Sequence, residues 1–117
     1  MLRDEATLLD IERSAQLIIE FTRGIDVEDF LDDVKTQSAV LHQLLVLGEA
    51  VKRLSPAFRG RYPSIPWALI AGMRDNLIHE YDTVDLDEVW STAERDVPRL
   101  LLSLNLPLLP DETGEDT

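Results

Sequence analysis

An all-α fold, an up-and-down bundle of four to five helices, follows from three features of the sequence. Apolar residues return at three- and four-residue spacing in each long segment, the period of one helix face. No segment sustains the two-residue alternation that a half-buried strand requires. The breaks between periodic stretches fall on glycine, proline and capping residues, where helices begin and end.

The first helix is marked by Leu8, Ile11, Ala15, Ile18 and Ile19, and Gly24 is placed to end it as a C-terminal glycine. Asp26 can then cap a short turn through Phe30 and Leu31. A long helix follows, with Val34, Val40, Leu41, Leu44, Leu47, Val51 and Leu54 on its apolar side. Gly48 and Ala50 lie within it, small enough to let another helix come close. Ser55-Pro56 stops it, because the residue before a proline is pushed out of the helical region. Residues 56–66, with Pro56, Gly60, Pro63 and Pro66, read as a connector. Ser64 ahead of Ile65-Pro66-Trp67 reads as a helix start, and Leu69, Ile70, Met73 and Leu77 carry that helix to about His79. Residues 82–85 read as a loop, with Asp85 as N-cap and Glu88 in the capping-box position. Leu86, Val89, Trp90, Ala93, Val97, Leu100 and Leu101 define a last helix, which Pro98 should kink or divide. Residues 1–105 thus form one helical domain, and residues 106–117 an acidic, frayed tail.

Composition narrows the function classes. A chain of 117 residues fits one domain with a modest core, and a domain this small gains from oligomerisation. The absence of cysteine removes disulfides, thiolate metal sites and cysteine nucleophiles. Apolar runs such as Leu44-Leu45-Val46-Leu47 are far too short for a membrane span, and Met1-Leu2-Arg3-Asp4-Glu5 does not open a signal peptide. A cytoplasmic protein without a membrane partner is the expectation. The net charge of −12, with four of the acids at Asp111, Glu112, Glu115 and Asp116, argues against broad nonspecific binding to DNA or RNA. Any RNA handled by this chain must meet a local basic pocket or a basic partner.

The segment that carries chemistry is Arg74-Asp75-Asn76-Leu77-Ile78-His79-Glu80-Tyr81. Asp75 lies four residues before His79, beside it on a helix, where a carboxylate can orient an imidazole and raise its pKa. Arg74 and His79 are five residues apart, roughly 140° around an ideal helix, so they share a face only if the helix ends near His79 or two chains pair. An imidazole that takes a ribose 2′-OH proton and an arginine that stabilises the phosphorane suit RNA cleavage without metal. The same residues equally suit the end of a helix, satisfying carbonyls and its dipole. His42, in the apolar helix, reads as a structural or half-exposed histidine, and two histidines this far apart, without a matched acidic helix motif, make a poor case for zinc. Arg59 and Arg61 beside Phe58 and Tyr62 form a small basic and aromatic cluster, open to RNA, a partner or a solubilising role. Trp67 and Trp90 read as core or interface anchors, and nothing in the spacing of Glu49 and Glu80 supports a carboxylate mechanism.

Arg74 to Tyr81 matches the Arg, four residues, His, any residue, Tyr signature of HepT proteins, members of the HEPN superfamily. Leu47-Gly48-Glu49-Ala50-Val51-Lys52-Arg53-Leu54-Ser55 resembles the family's central helix, and Tyr62-Pro63-Ser64-Ile65-Pro66-Trp67 its lead-in to the motif helix. Val84-Asp85-Leu86-Asp87-Glu88-Val89-Trp90 resembles the start of the following helix. The resemblance spans roughly residues 1–105. It implies a HEPN-like homodimeric bundle, open to further association, with a composite site at the dimer interface. It implies a metal-independent endoribonuclease toxin that needs no cofactor, with tRNA or mRNA as its RNA substrate. Carried over by position, Arg74 and His79 are catalytic, Asp75 and Asn76 supporting, and Tyr81 is the hydroxyl that an MntA-type nucleotidyltransferase antitoxin modifies with AMP. Two other classes stay open: a partner-binding module that does not cleave RNA, and a nucleotide-binding subunit of the transferase in which Arg74 grips phosphate.

Overall fold

The computed structural model describes residues 2–79 and 83–108, and everything it describes is helix, turn or loop, with no strand among the described residues. Among the described residues seven α-helices follow in order: α1 (Leu2–Thr22), α2 (Val27–Leu31), α3 (Val34–Arg53), α4 (Pro56–Gly60), α5 (Trp67–His79), α6 (Leu86–Ser91) and α7 (Val97–Ser103). A π-helical turn, Thr92–Asp96, joins α6 to α7.

Helix α3 is the centre of the molecule. It packs along α1 on one side and α5 on the other, while α7 and the π turn close over α1 and α2 bridges α3 to α6. The core is the set of side chains these contacts bury: Ile11, Ala15 and Ile18 from α1, Val40, Leu41, Leu44, Leu47 and Val51 from α3, and Leu100 and Leu101 from α7. Phe30 is fully buried and meets the Trp90 ring at 5.3 Å. The molecule is 21 Å through its thinnest dimension, about two helix diameters. Helix α5 has α3 as its one extensive partner among the described elements, so one of its faces stays open.

Local chemistry accounts for most boundaries. Gly24 adopts φ +78° beyond α1, in the left-handed region that costs a glycine nothing. Asp26 and Asp29 cap α2 reciprocally, each side chain accepting from the other's backbone N–H. Asp33 caps α3 by accepting from Thr36 N–H and Thr36 Oγ1–H, bonds that hold its pKa below the usual carboxylate range. Asp85 caps α6 by accepting from the N–H groups of Asp87 and Glu88.

Residues 56–66 are not wholly a connector: Pro56–Gly60 wind into α4. Ser55 makes that turn possible, accepting from Phe58 N–H through Oγ with Pro56 in the first turn, where a missing N–H costs nothing. Helix α5 begins at Trp67 rather than Ser64, with Pro66 C=O accepting from Ile70 N–H. Pro98 divides the last helix as expected. Its ring nitrogen cannot donate to the carbonyl four residues back, and the chain relaxes one turn earlier into the π segment, with Val97 N–H reaching Thr92 C=O. Leu106 and Pro107 lie against the domain, Leu106 packed on the core and Pro107 C=O accepting from Gln16. The rest of the acidic tail beyond Leu108 lies outside the described residues.

Candidate functional site

Arg74 lies at the crossing of α5 and α3. In α5, Trp67, Ile70, Arg74 and Leu77 recur at three- and four-residue spacing, which places Arg74 on the buried stripe facing α3. An arginine fits that stripe because the position opposite is Gly48. A Cβ at Gly48 would overlap Arg74 Cβ and stand 2.9 Å from its Cγ, so the helices approach this closely only over a glycine. The place marked by small residues in the sequence is therefore the seat of the signature arginine.

The head of Arg74 is held by carboxylates from both helices. Nη2 forms an ion pair with Glu49 Oε1 at 2.8 Å, and Nη1 donates to Asp75 Oδ1 at 3.0 Å. Asp75 Oδ1 also accepts from Lys52 Nζ at 3.3 Å. The Arg74 guanidinium, followed by the Lys52 ammonium, holds the Asp75 carboxyl below the usual carboxylate range. With Glu49 and Asp75 roughly half exposed, solvent screens these pairs and they add little to folding. They orient a side chain more than they stabilise a fold. Two cations against two carboxylates also leave the cluster without excess charge, so a single chain does not form a net basic pocket here.

The other signature residues fall at the edge of what is described. His79 is the final described residue of α5, and of its side chain nothing is described. Tyr81 lies outside the described residues, as does Glu80. Asn76 is exposed on α5. Because α5 runs as a regular helix through both positions, Arg74 and His79 sit about 140° apart around its axis. Two large apolar side chains of α5 are exposed, Leu69 at 72% and Ile78 at 47%, and nine residues apart they lie on opposite sides of the helix. The two described depressions, of about 360 and 800 Å³, lie beside Thr22 and Trp90 and along the outer face of α1, and neither includes Arg74.

Sequence reasoning dismissed Glu49, which is the acceptor nearest the Arg74 head. Its signal was available in retrospect, since Glu49 directly follows the glycine that admits Arg74. Lys52 and Arg53, read as cations at a helix end, also bridge helices, to Asp75 and Asp10. The Arg59 to Tyr62 cluster is turned to packing. Arg61 lies 5.0 Å above the Phe58 ring, Phe58 meets Tyr62 at 5.2 Å, and Trp67 Nε1–H donates to the carbonyls of Arg59 and Tyr62. His42 is exposed on α3. Among the described residues no three His, Asp or Glu side chains converge in a way that would hold a metal ion.

Comparison with known proteins agrees with this architecture. The family model described as "Ribonuclease HepT-like" matches residues 11–105. A Thermococcus cleftensis protein named as a probable ribonuclease HepT is 48% identical over 93 residues, covering 80% of this chain and 84% of that protein. Two Methanocaldococcus jannaschii proteins, each named as a candidate RNase, are 39% and 43% identical, over 95% and 82% of this chain and 91% and 83% of theirs. No solved structure matches.

Proposed function

Because this chain belongs to the HepT-like ribonuclease family, we propose that it is an endoribonuclease toxin in which Arg74 and His79 cleave RNA without a metal ion. The observation that carries the reading is Arg74 itself: a quarter-exposed side chain fixed at a helix crossing, on a helix whose one extensive partner among the described elements is α3. Of its five N–H donors, one on Nη1 is taken by Asp75 and Nη2 pairs with Glu49, leaving others for phosphate oxygens.

In this reading the His79 imidazole takes the proton of a ribose 2′-OH, and the freed O2′ attacks the adjacent phosphorus. The bond from phosphorus to O5′ breaks, O5′ leaves as a hydroxyl after protonation, and a 2′,3′-cyclic phosphate remains. Arg74 stabilises the charge that builds on the phosphorane oxygens. The 140° between Arg74 and His79 and the exposed Leu69 of α5 support a homodimer in which each site draws on both chains. Pairing also brings a second Arg74 to the shared groove. An MntA-type nucleotidyltransferase would switch the enzyme off by transferring AMP from ATP to Tyr81 Oη, with the hydroxyl proton lost and pyrophosphate released from the α-phosphorus, placing bulk and negative charge two residues from the base.

Cleavage of total tRNA in EDTA tests this. Wild type should cut and leave 2′,3′-cyclic ends, while His79→Ala, Arg74→Ala and Tyr81-adenylylated protein should not. The charge balance at Arg74 favours one competing reading, a subunit that grips phosphate without cleaving. That reading requires binding to fall with Arg74→Ala and to survive His79→Ala, with no cleavage by wild type.

A further inference from the structure

Glu49 takes no part in the reaction above, yet it makes the shortest ion pair among the described residues, 2.8 Å from Oε1 to Arg74 Nη2. Gly48 and Glu49 are adjacent on α3 and meet opposite ends of one side chain. Gly48 lies beneath Arg74 Cβ and Cγ, and the Glu49 carboxylate holds the outer nitrogen. Asp75, on α5, holds the other terminal nitrogen at 3.0 Å and is itself tethered to Lys52 of α3. A planar group hydrogen-bonded at one terminal nitrogen and paired with a carboxylate of the other helix at the second cannot rotate about its Cζ–Nε bond without losing one of those contacts.

We propose that Glu49 is a positioning residue for Arg74, setting the plane in which the guanidinium meets the scissile phosphate. The inference rests on the reading of Arg74 as the phosphate-binding group of the site. Glu49 orients Arg74 rather than covering it: its side chain is 46% exposed, it occupies one terminal nitrogen, and the remaining donors stay free for a phosphate oxygen. Asp75 alone leaves the plane free to swing, because it shares the helix of Arg74 and reaches only Nη1.

The test uses the full chain with Glu49→Ala and Glu49→Gln, checked for fold by circular dichroism. One readout is nitrogen NMR of the Arg74 side chain, the other steady-state cleavage of total tRNA. In wild type the terminal nitrogens of Arg74 should give separate, slowly exchanging signals that collapse together in Glu49→Ala. The kcat of Glu49→Ala should fall about ten- to a hundredfold with KM within about twofold, the loss expected when a catalytic group is misaligned. Glu49→Gln keeps an oxygen acceptor and should recover most of both signals. A folded Glu49→Ala that cleaves at the wild-type rate or faster overturns the proposal. If wild type cleaves no RNA, the endoribonuclease reading fails separately and the NMR decides: collapse confined to Glu49→Ala upholds the role, and identical Arg74 signals in both proteins remove it.

Discussion

Asp4 shows how a single carboxylate ties distant parts of this chain together. It stands in the first turn of α1, almost fully buried, and its two oxygens accept from Ser55 N–H at 3.0 Å and Ser55 Oγ–H at 2.7 Å. Ser55 Oγ in turn accepts from Phe58 N–H, so one residue of α1 fixes the elbow between α3 and α4. The Ser55 hydroxyl, then its backbone N–H, lower the Asp4 pKa from its ordinary value of 3.8. A group with a lowered folded pKa binds protons more readily when unfolded. Its stabilisation is therefore present above the ordinary carboxylate range and is lost as pH falls through the lowered value. Asp33 and Asp75 are shifted in the same direction and add to the effect. In thermal unfolding from pH 7 down to pH 2, wild type should lose stability steeply below about pH 4. Asp4→Ala should start lower and show a shallower acid loss; an equal slope in both proteins would remove Asp4 from the account.

The close crossing of α3 and α5 is the element on which the site depends. Gly48→Ala puts a methyl where Arg74 Cβ lies, and backbone and side-chain stem can relieve the overlap only by parting the helices. Overpacking of this kind costs about 1–3 kcal/mol, and it should move Arg74 away from Glu49 as well. The prediction is a lower Tm together with lost RNA cleavage, whereas a Tm within a degree of wild type would show that α5 is not seated on Gly48. The helices themselves were legible in the sequence because they rest on local rules: Gly24, Asp26, Asp85 and Pro98 act within a few residues of their own positions. What was not legible depended on neighbours. Residues 56–60 coil because Ser55 supplies a cap while it is itself held by Asp4, 51 residues away in sequence. Glu49 was missed for the same reason, since a lone glutamate in a helix announces no partner until the arginine from α5 is placed against it. The basic and aromatic cluster at residues 58–62, left open by the sequence, gains a packing role only in three dimensions, where Arg61 lies over the Phe58 ring and Trp67 anchors the Arg59 and Tyr62 carbonyls.

At the scale of the whole molecule, the chain is a thin helical slab with α5 at its edge, and the signature was legible there only as an order of residues. Spacing placed Arg74 and His79 on different sides of a helix, and the regular course of α5 keeps them there. Leu69 stands exposed on α5 as an apolar contact open to a second copy. A charge of −12 and a balanced cluster at Arg74 make a poor general RNA-binding surface, and it is the separation of Arg74 from His79 that calls for a second chain. Leu69→Glu should weaken that pairing, shift the protein to monomer in sedimentation, and reduce cleavage in proportion; a monomer that cuts at the full rate would separate the site from the interface. The most direct measurement pairs the two inactive variants, Arg74→Ala and His79→Ala, in one dimer, by co-expressing them with different tags and purifying through both. If each site takes its arginine from one chain and its histidine from the other, the mixed dimer carries one intact site and should regain up to about half the wild-type cleavage. A mixed dimer that stays as inactive as either parent would contradict a shared site of Arg74 and His79.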